Sequence, residues 1–314
     1  MTQTVLILGA SGKIGAHAAK AFASAGWQVR RFNRKTDDMI QAAQGCDVIV
    51  NGLNPPNYHN WARLIPEITA QVIAAARGSG ATVIVPGNVY VYGDQPGAWS
   101  EATPHRPCSR KGAIRAEMER AYAESGVPTI LLRAGDFIDP DHNGDLMSVV
   151  SFKALSRGKV TTLGPADARH AYVWLPDWAR AAVMLAEKRA SLARYEEVNM
   201  PGLAVTMDEI ATEAERQLGR PLRIARFPWW LMRLAAPVWE LARELGEMRY
   251  LWTVPHSLSG EKFARLLPDF APTPFAEVIR GALPDTVQPS AAGAVQPAMP
   301  SAHAARSAAE RSFT

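Results

Sequence analysis

In the first half of the chain, short runs of apolar and β-branched residues are separated by longer stretches with helical spacing. The runs Thr4–Leu8, Trp27–Phe32, Asp47–Val50, Ala81–Val85 and Pro128–Leu132 predict strands. Between them, Lys13–Ala25, Trp61–Arg77 and Ala113–Ser125 predict helices. Gly26 and Gly126 follow the first and last of these helices, where a left-handed residue commonly ends one. Strands alternating with helices of this length imply right-handed crossovers and a parallel sheet covered on both faces. The expected fold is therefore α/β, a doubly wound Rossmann sheet.

The second half is less regular. Ser148–Ser156 and Trp178–Lys188 read as helices, and Tyr195–Asn199 as a sixth strand. Thr206-Met207-Asp208-Glu209 has the form of a capping box ahead of a helix running to about Leu218. A tryptophan-rich stretch with Trp229, Trp230, Trp239 and Trp252 follows, then a last helix over Pro274–Leu283. The expected division is a Rossmann domain over 1–140, its sheet completed from 167–200, and a smaller, mostly helical lobe over 141–284 that walls a substrate. Residues 285–314 hold nine alanines, four serines and three prolines, too little apolar surface to offset ordering, and read as a flexible tail.

Charge and composition narrow the function. Thirty-four basic and thirty acidic residues leave +4, a small and scattered excess that argues against a nucleic-acid surface. Cys46 and Cys108 are the only cysteines, with no Cys-x-x-Cys or His-x-His, so neither a disulfide framework nor a zinc module is expected, and no metal. A reducing compartment is expected from that usage, and a cytoplasmic setting because the first apolar run, Val5–Leu8, is strand-sized and ends at a glycine turn rather than forming a signal peptide. Phe227–Leu245, the best candidate for a membrane span, is interrupted by Arg233, Glu240, Arg243 and Glu244, so no integral segment is expected. A small-molecule substrate is the expected partner, with a homodimer allowed.

The sharpest motif is Gly9-Ala10-Ser11-Gly12-Lys13-Ile14-Gly15, directly after the first strand and opening the first helix. Gly9 permits a tight turn, Gly12 lets backbone approach a pyrophosphate, and Gly15 lets the helix pack close to the sheet. The free N–H groups of that helix, with its dipole, then face the phosphates. Ser11, Lys13 and Ile14 belong to the same cofactor-binding turn.

The spacing Gly-x-x-Gly-x-x-Gly resembles the short-chain dehydrogenase/reductase superfamily, in its extended and atypical branches. Asn88-Val89-Tyr90-Val91-Tyr92-Gly93 resembles the Ser-x-x-Val-Tyr-Gly segment of NAD-dependent epimerase/dehydratases. Further similar segments are Ser100-Glu101-Ala102-Thr103-Pro104, Arg133-Ala134-Gly135-Asp136-Phe137, and Arg169 with Val173 and Asp177-Trp178-Ala179-Arg180-Ala181. The resemblance implies a nicotinamide cofactor, adds Gly52, Leu53 and Asn88 to its expected contacts, and makes Arg169 and Tyr92 candidate substrate contacts.

The chain departs from that pattern where chemistry is expected. Extended members use a Ser/Thr, a tyrosine as general acid/base, and a lysine four residues later that lowers the phenol pKa and holds the ribose. Counted from Pro107, those last two positions are Arg110 and Ile114, and the Ser/Thr position is Asn88. A relocated donor is expected instead: Tyr90, with Lys111 as the ribose-binding cation and Asp136 as a base or loop ligand. Arg110 and Arg115 are the other cations of that helix start.

At the end of the second strand, where NAD-preferring relatives carry an aspartate, the chain has neutral Asn33 followed by Arg34. A guanidinium suits a 2′-phosphate, so the expected cofactor is NADP, with NAD allowed. The tryptophan-rich stretch reads first as the apolar wall of the lobe, and alternatively as a membrane or partner surface. Two functions stay open: an oxidoreductase or epimerase-like enzyme with a nonstandard site, and a dinucleotide-binding sensor, regulator or assembly factor without turnover.

Overall fold

A computed structural model describes residues 2–287. The first half runs β1 (Thr4–Leu8), α1 (Lys13–Ser24), β2 (Gln28–Arg31), α2 (Met39–Ala43), β3 (Val48–Asn51), α3 (Trp61–Ser79), β4 (Thr82–Gly87), β5 (Gly97–Trp99), α4 (Arg110–Glu124) and β6 (Thr129–Arg133). Next come β7 (Asp136–Ile138), β8 (Lys159–Thr162), β9 (His170–Trp174), α5 (Leu175–Glu187), β10 (Tyr195–Asn199), β11 (Leu203–Val205) and α6 (Met207–Leu218). The chain then forms β12 (Arg223–Arg226), α7 (Trp229–Ala235), α8 (Glu240–Glu247), β13 (His256–Leu258), α9 (Glu261–Leu266) and α10 (Phe275–Ala282).

Six strands form one parallel sheet in the order β10-β6-β4-β3-β1-β2. The inner strands alternate their side chains between two apolar layers, which explains their continuous apolar runs, while the edge strands β2 and β10 carry polar residues such as Gln28, Arg30, Arg31, Glu196 and Glu197. In β1, Val5 and Ile7 join the core beneath α1 and α5, while Leu6 and Leu8 join the core beneath α3 and α4. The chain leaves β1 for β2 on one side and later returns to β3 on the other. The carboxyl ends of β1 and β3 therefore flank a topological switch point, the usual ligand crevice of such sheets.

Besides the large sheet, β11-β9-β7 form a three-stranded sheet, and β8 pairs with β12 and β5 with β13. A further apolar core packs α6 and α10 around Ile210, Ala214, Val278 and Ile279. Three expected elements differ in extent. Ser148–Ser156 is not one helix but a π turn at Met147–Ser151 and a 3-10 turn at Leu155–Arg157, because Phe152, Met147 and Leu155 all turn into one core. α4 starts at Arg110 because Ser109 caps it, its side chain accepting from the Gly112 N–H at 3.0 Å. α5 starts at Leu175, with a proline in its first turn. Of the expected tail, residues 288–314 lie outside the described residues. Among the described residues, no helix is long and apolar enough to cross a membrane.

Candidate functional site

The glycine turn is closed by backbone against backbone. Gly9 has φ +73°, and a Cβ there would stand 2.7 Å from the Gly52 carbonyl oxygen. A Cβ on Gly15 would stand 2.3 Å from the Gly9 oxygen, and one on Gly52 2.8 Å from the Leu8 oxygen. Those three glycines let α1 and the β3 turn meet the end of β1. Gly12 is different: a Cβ there meets only the Gly9 oxygen, at an ordinary 3.4 Å. The bareness of Gly12, the residue that starts α1, leaves the first N–H groups of the helix open to an outside acceptor.

Around the turn, Ser11 is exposed, and Ile14 packs its half-buried side chain on the core. Lys13 reaches across to the Gly144 carbonyl, 3.0 Å away, and ties the 139–147 loop over the turn. His17, one turn further along α1, bonds Asp139 of that loop at 2.8 Å. Burial raises the Asp139 carboxyl, but the His17 bond and a backbone N–H outweigh it and hold the group below its usual range. Leu53 donates its N–H to the Asn51 side chain at 3.2 Å. Beyond β2, the Asn33 side chain accepts from the Lys35 N–H, and Arg34 is exposed. Arg30 is committed to the Ala42 and Gln44 carbonyls.

Opposite the turn, the 3-10 turn Val89–Tyr92 presents Tyr90, whose hydroxyl lies 3.2 Å from that of Tyr58. Tyr58 comes from the loop after β3. That loop carries Asn57, Tyr58 and Asn60 at φ of +50° to +60°, three of the four non-glycine residues of positive φ among the described residues. Such backbone costs about 1–3 kcal/mol per residue and collects where a side chain must be held in place. Burial pushes both phenols up, Tyr90 strongly, and the Asp136 carboxylate adds to the shift in each. The cation that opposes it is Arg115, stacked 4.7 Å over Trp61 and bonded to Asn54 at 3.0 Å.

Lys111 is placed otherwise than its proposed role requires. Its ammonium is buried, pairs with Glu244 and with Glu247 (2.6 Å), and stands 5.0 Å over the Tyr58 ring. Two carboxylates of α8 thus neutralise the charge expected to hold a ribose. Arg110 pairs with Glu244 at 2.7 Å, and Ile114 packs in the core under α4. The Asn88 side chain caps its own turn, accepting from the Tyr90 N–H at 3.1 Å, and its carbonyl accepts from Arg133.

Asp136 is the hub of the remaining polar groups. Its Oδ2 lies 3.0 Å from His170 Nε2 and accepts from the Trp252 indole at 3.1 Å. Burial alone would raise this carboxyl, but those bonds and the neighbouring imidazoles hold it below its ordinary value. His256 sits 4.5 Å from His170, ring edge to face, and stacks on Trp99. Burial and the neighbouring His170 push His256 down to about 4, so it is neutral at pH 7. Its Nδ1 donates to the Val254 carbonyl at 2.9 Å, leaving Nε2 buried with no partner. A narrow recess opens here, lined by Asp136, His170, Trp252, Ser151, Leu146 and Leu163 among others.

Tyr92 and Arg169 are not brought to that recess as ligands. Tyr92 is buried, its ring 5.0 Å from the Arg133 guanidinium and its hydroxyl bonded to Asn199, with burial pushing the phenol up to about 12. Arg169 turns outward to the Ala204 carbonyl and Glu209. Tyr58, His170, His256 and Trp252 are residues that sequence reasoning did not assign to the site, and Arg115 it named only among the cations that open α4. The only sequence signals were the cationic start of α4 and the histidine after Arg169.

The sequence profile of the NAD dependent epimerase/dehydratase family matches residues 5–200. A search of curated proteins finds no relative of the chain. Among solved structures, MoeE5 in complex with UDP-glucose and NAD aligns with a TM-score of 0.69 at 16% identity, covering 89% of this chain and 97% of that one. UDP-glucuronic acid 4-epimerase from Bacillus cereus, in complex with UDP-glucuronic acid and NAD, aligns at 0.68 and 16%, covering 89% and 98%. The Bordetella bronchiseptica enzyme WbmH in complex with NAD+ aligns at 0.67 and 16%, covering 90% and 97%. At that identity these similarities establish the fold.

Proposed function

From the premise that the chain belongs to the NAD-dependent epimerase/dehydratase family, we propose that it binds a nicotinamide dinucleotide over Gly9–Gly15 and acts on a small molecule beside Asp136. The observation that carries this reading is the stack of Gly9, Gly15 and Gly52, which seats α1 on the sheet edge while bare Gly12 leaves its N-terminus open. These residues fit a pyrophosphate. Gly12 and the backbone of Lys13–Gly15 would hold it, with Ser11 at the margin and Gly52 and Leu53 lining the groove. When bound, such a cofactor supplies hydride transfer. For its adenosine ribose, neutral Asn33 and exposed Arg34 support NADP(H), whereas the NAD in the solved relatives supports NAD(H).

Proton handling falls to Tyr90. A buried phenol that stays protonated near neutrality is equipped to donate, Tyr58 hydrogen-bonds it, and Arg115 favours the phenolate left behind. Lys111 steadies the Tyr58 ring, and Asp136 with His170 forms a second proton-holding pair at the recess. A nucleotide sugar, as named for the solved relatives, is one candidate substrate class. Cytoplasmic action is part of the same reading.

Fluorescence titration with NADH and NADPH tests the cofactor. The wild type should bind, and Gly12→Val should weaken binding at least about tenfold, or 1.4 kcal/mol. Arg34→Ala should weaken NADPH alone. A wild type that binds neither dinucleotide overturns the reading. Tyr90→Phe should lower turnover on a substrate panel by about 10²–10⁴ while leaving dinucleotide affinity intact. A second reading, a dinucleotide sensor without turnover, is favoured by Arg110 and Ile114 standing where the family carries its Tyr/Lys pair. Tight wild-type binding without turnover would select it.

A further inference from the structure

Five of the seven large hydrophobic side chains exposed among the described residues lie within ten positions: Trp230, Leu231, Leu234, Val238 and Trp239. Trp230 is 62% exposed, Leu234 72% and Val238 90%. Surface hydrophobics are usually scattered singly, and a contiguous group marks an interaction surface. Here the group sits on α7 and the bend that leads into α8. That segment is anchored from beneath: the Trp229 indole donates to the Leu163 carbonyl at 2.7 Å and stacks on Trp252. Its outward residues are therefore presented by a seated element.

Charge is sorted across the same segment. Its acidic residues are committed to other parts of the chain: Glu244 and Glu247 to Arg110 and Lys111, and Glu240 to His59 at 3.0 Å. The arginines Arg226, Arg233, Arg243 and Arg249 are exposed. Arg233 lies one helical turn from Trp230 and adjoins Leu234, so cations border the apolar centre. α7 has seven residues, about 10 Å of helix, far short of a span.

We propose that α7 and the bend before α8 form a docking surface for an anionic lipid bilayer, with Trp230, Leu234, Val238 and Trp239 entering the headgroup region and the arginines meeting the lipid charge. Tryptophan is favoured at that interface, and apolar burial together with cationic attraction is how a helix lies on a membrane without crossing it. A second copy of this chain fits less well, because it would bring the same arginines against these.

Co-sedimentation of the full chain with vesicles of phosphatidylcholine alone, and of phosphatidylcholine mixed with phosphatidylglycerol, tests the proposal. The wild type should pellet with the anionic vesicles and be released by salt. Trp230→Ser with Leu234→Ser, and separately Arg233→Glu with Arg243→Glu, should each cut binding at least about tenfold, with dinucleotide affinity and Tm retained. No pelleting with either vesicle overturns the proposal, as does pelleting that both double variants leave unchanged. Equal, salt-insensitive binding to neutral vesicles overturns its electrostatic part. A light-scattering dimer abolished by Trp230→Ser with Leu234→Ser would assign the patch to self-association instead and also overturn it.

Discussion

At the Gly9–Gly15 turn the decisive contacts run from backbone to backbone, within the turn itself and to Gly52 after β3. Across the crevice, Tyr58, Tyr90, Arg115, Asp136, His170 and Trp252 converge through their side chains from separate parts of the chain. The turn is shaped by what its glycines leave out. The rim is charged, titratable and shaped by pairing. A fold that keeps the first and rebuilds the second retains its cofactor geometry while changing its chemistry, which is how one scaffold serves many reactions.

The largest effect is expected where the rim rests on the sheet. Arg133 is fully buried and bonded twice to Glu119, at 2.9 and 2.8 Å, and also to Glu197. Removing one partner of a buried pair strands the other charge, so Glu119→Ala should lower stability by about 3 kcal/mol, read from the urea midpoint at unchanged slope. A loss below about 1 kcal/mol would mean that Glu197 alone holds the rim in place.

Acid should next act on the rim, through the His256 imidazole. His256 ionises at about 4 in the fold against 6.5 in its ordinary state, so on acidification the unfolded chain takes up its proton first. Its stabilising contribution is present above pH 6.5 and is lost progressively as pH falls from 6.5 to 4, at most about 3 kcal/mol. Unfolding curves across that range should steepen for the wild type relative to His256→Gln. Parallel curves would remove the neutral imidazole from the account.

The smallest effect tests the turn itself. Gly15→Ala, whose methyl would fall 2.3 Å from the Gly9 oxygen, should cost about 1–3 kcal/mol, whereas Gly12→Ala, with 3.4 Å of room, should leave Tm nearly unchanged. Equal losses at the two positions would end the distinction between a glycine that shapes the fold and one that admits a ligand.

The same contrast explains what could be read from the sequence. The inner strands of the parallel sheet were legible because they are buried on both faces and print apolar runs, and the turn because Gly9, Gly12 and Gly15 recur at a short, regular spacing. Partners at the rim are separated by 32 residues for Tyr58 and Tyr90, 34 for Asp136 and His170, and 116 for Asp136 and Trp252. No local pattern encodes such meetings. Lys111 reads as a free cation of α4 because the α8 carboxylates that neutralise it lie 133 and 136 positions further on. The tryptophan-rich stretch carries no local mark of which rings face out: the structure divides it between α7 and α8, seats Trp229 on Trp252 and leaves Trp230 exposed.

The glycine stack also has a genetic consequence. A side chain at Gly9, Gly15 or Gly52 would strike main-chain atoms, and no neighbouring side chain can be trimmed to make room. Loss-of-function alleles at these positions should therefore lack second-site suppressors among the adjoining residues and recover only by true reversion. Gly260 behaves differently, since its nearest obstacle is the Pro201 ring at 2.7 Å, which another substitution could remove. Selection for revertants would thus sort the glycines of one chain into those answerable to a neighbour and those answerable only to the path of the backbone.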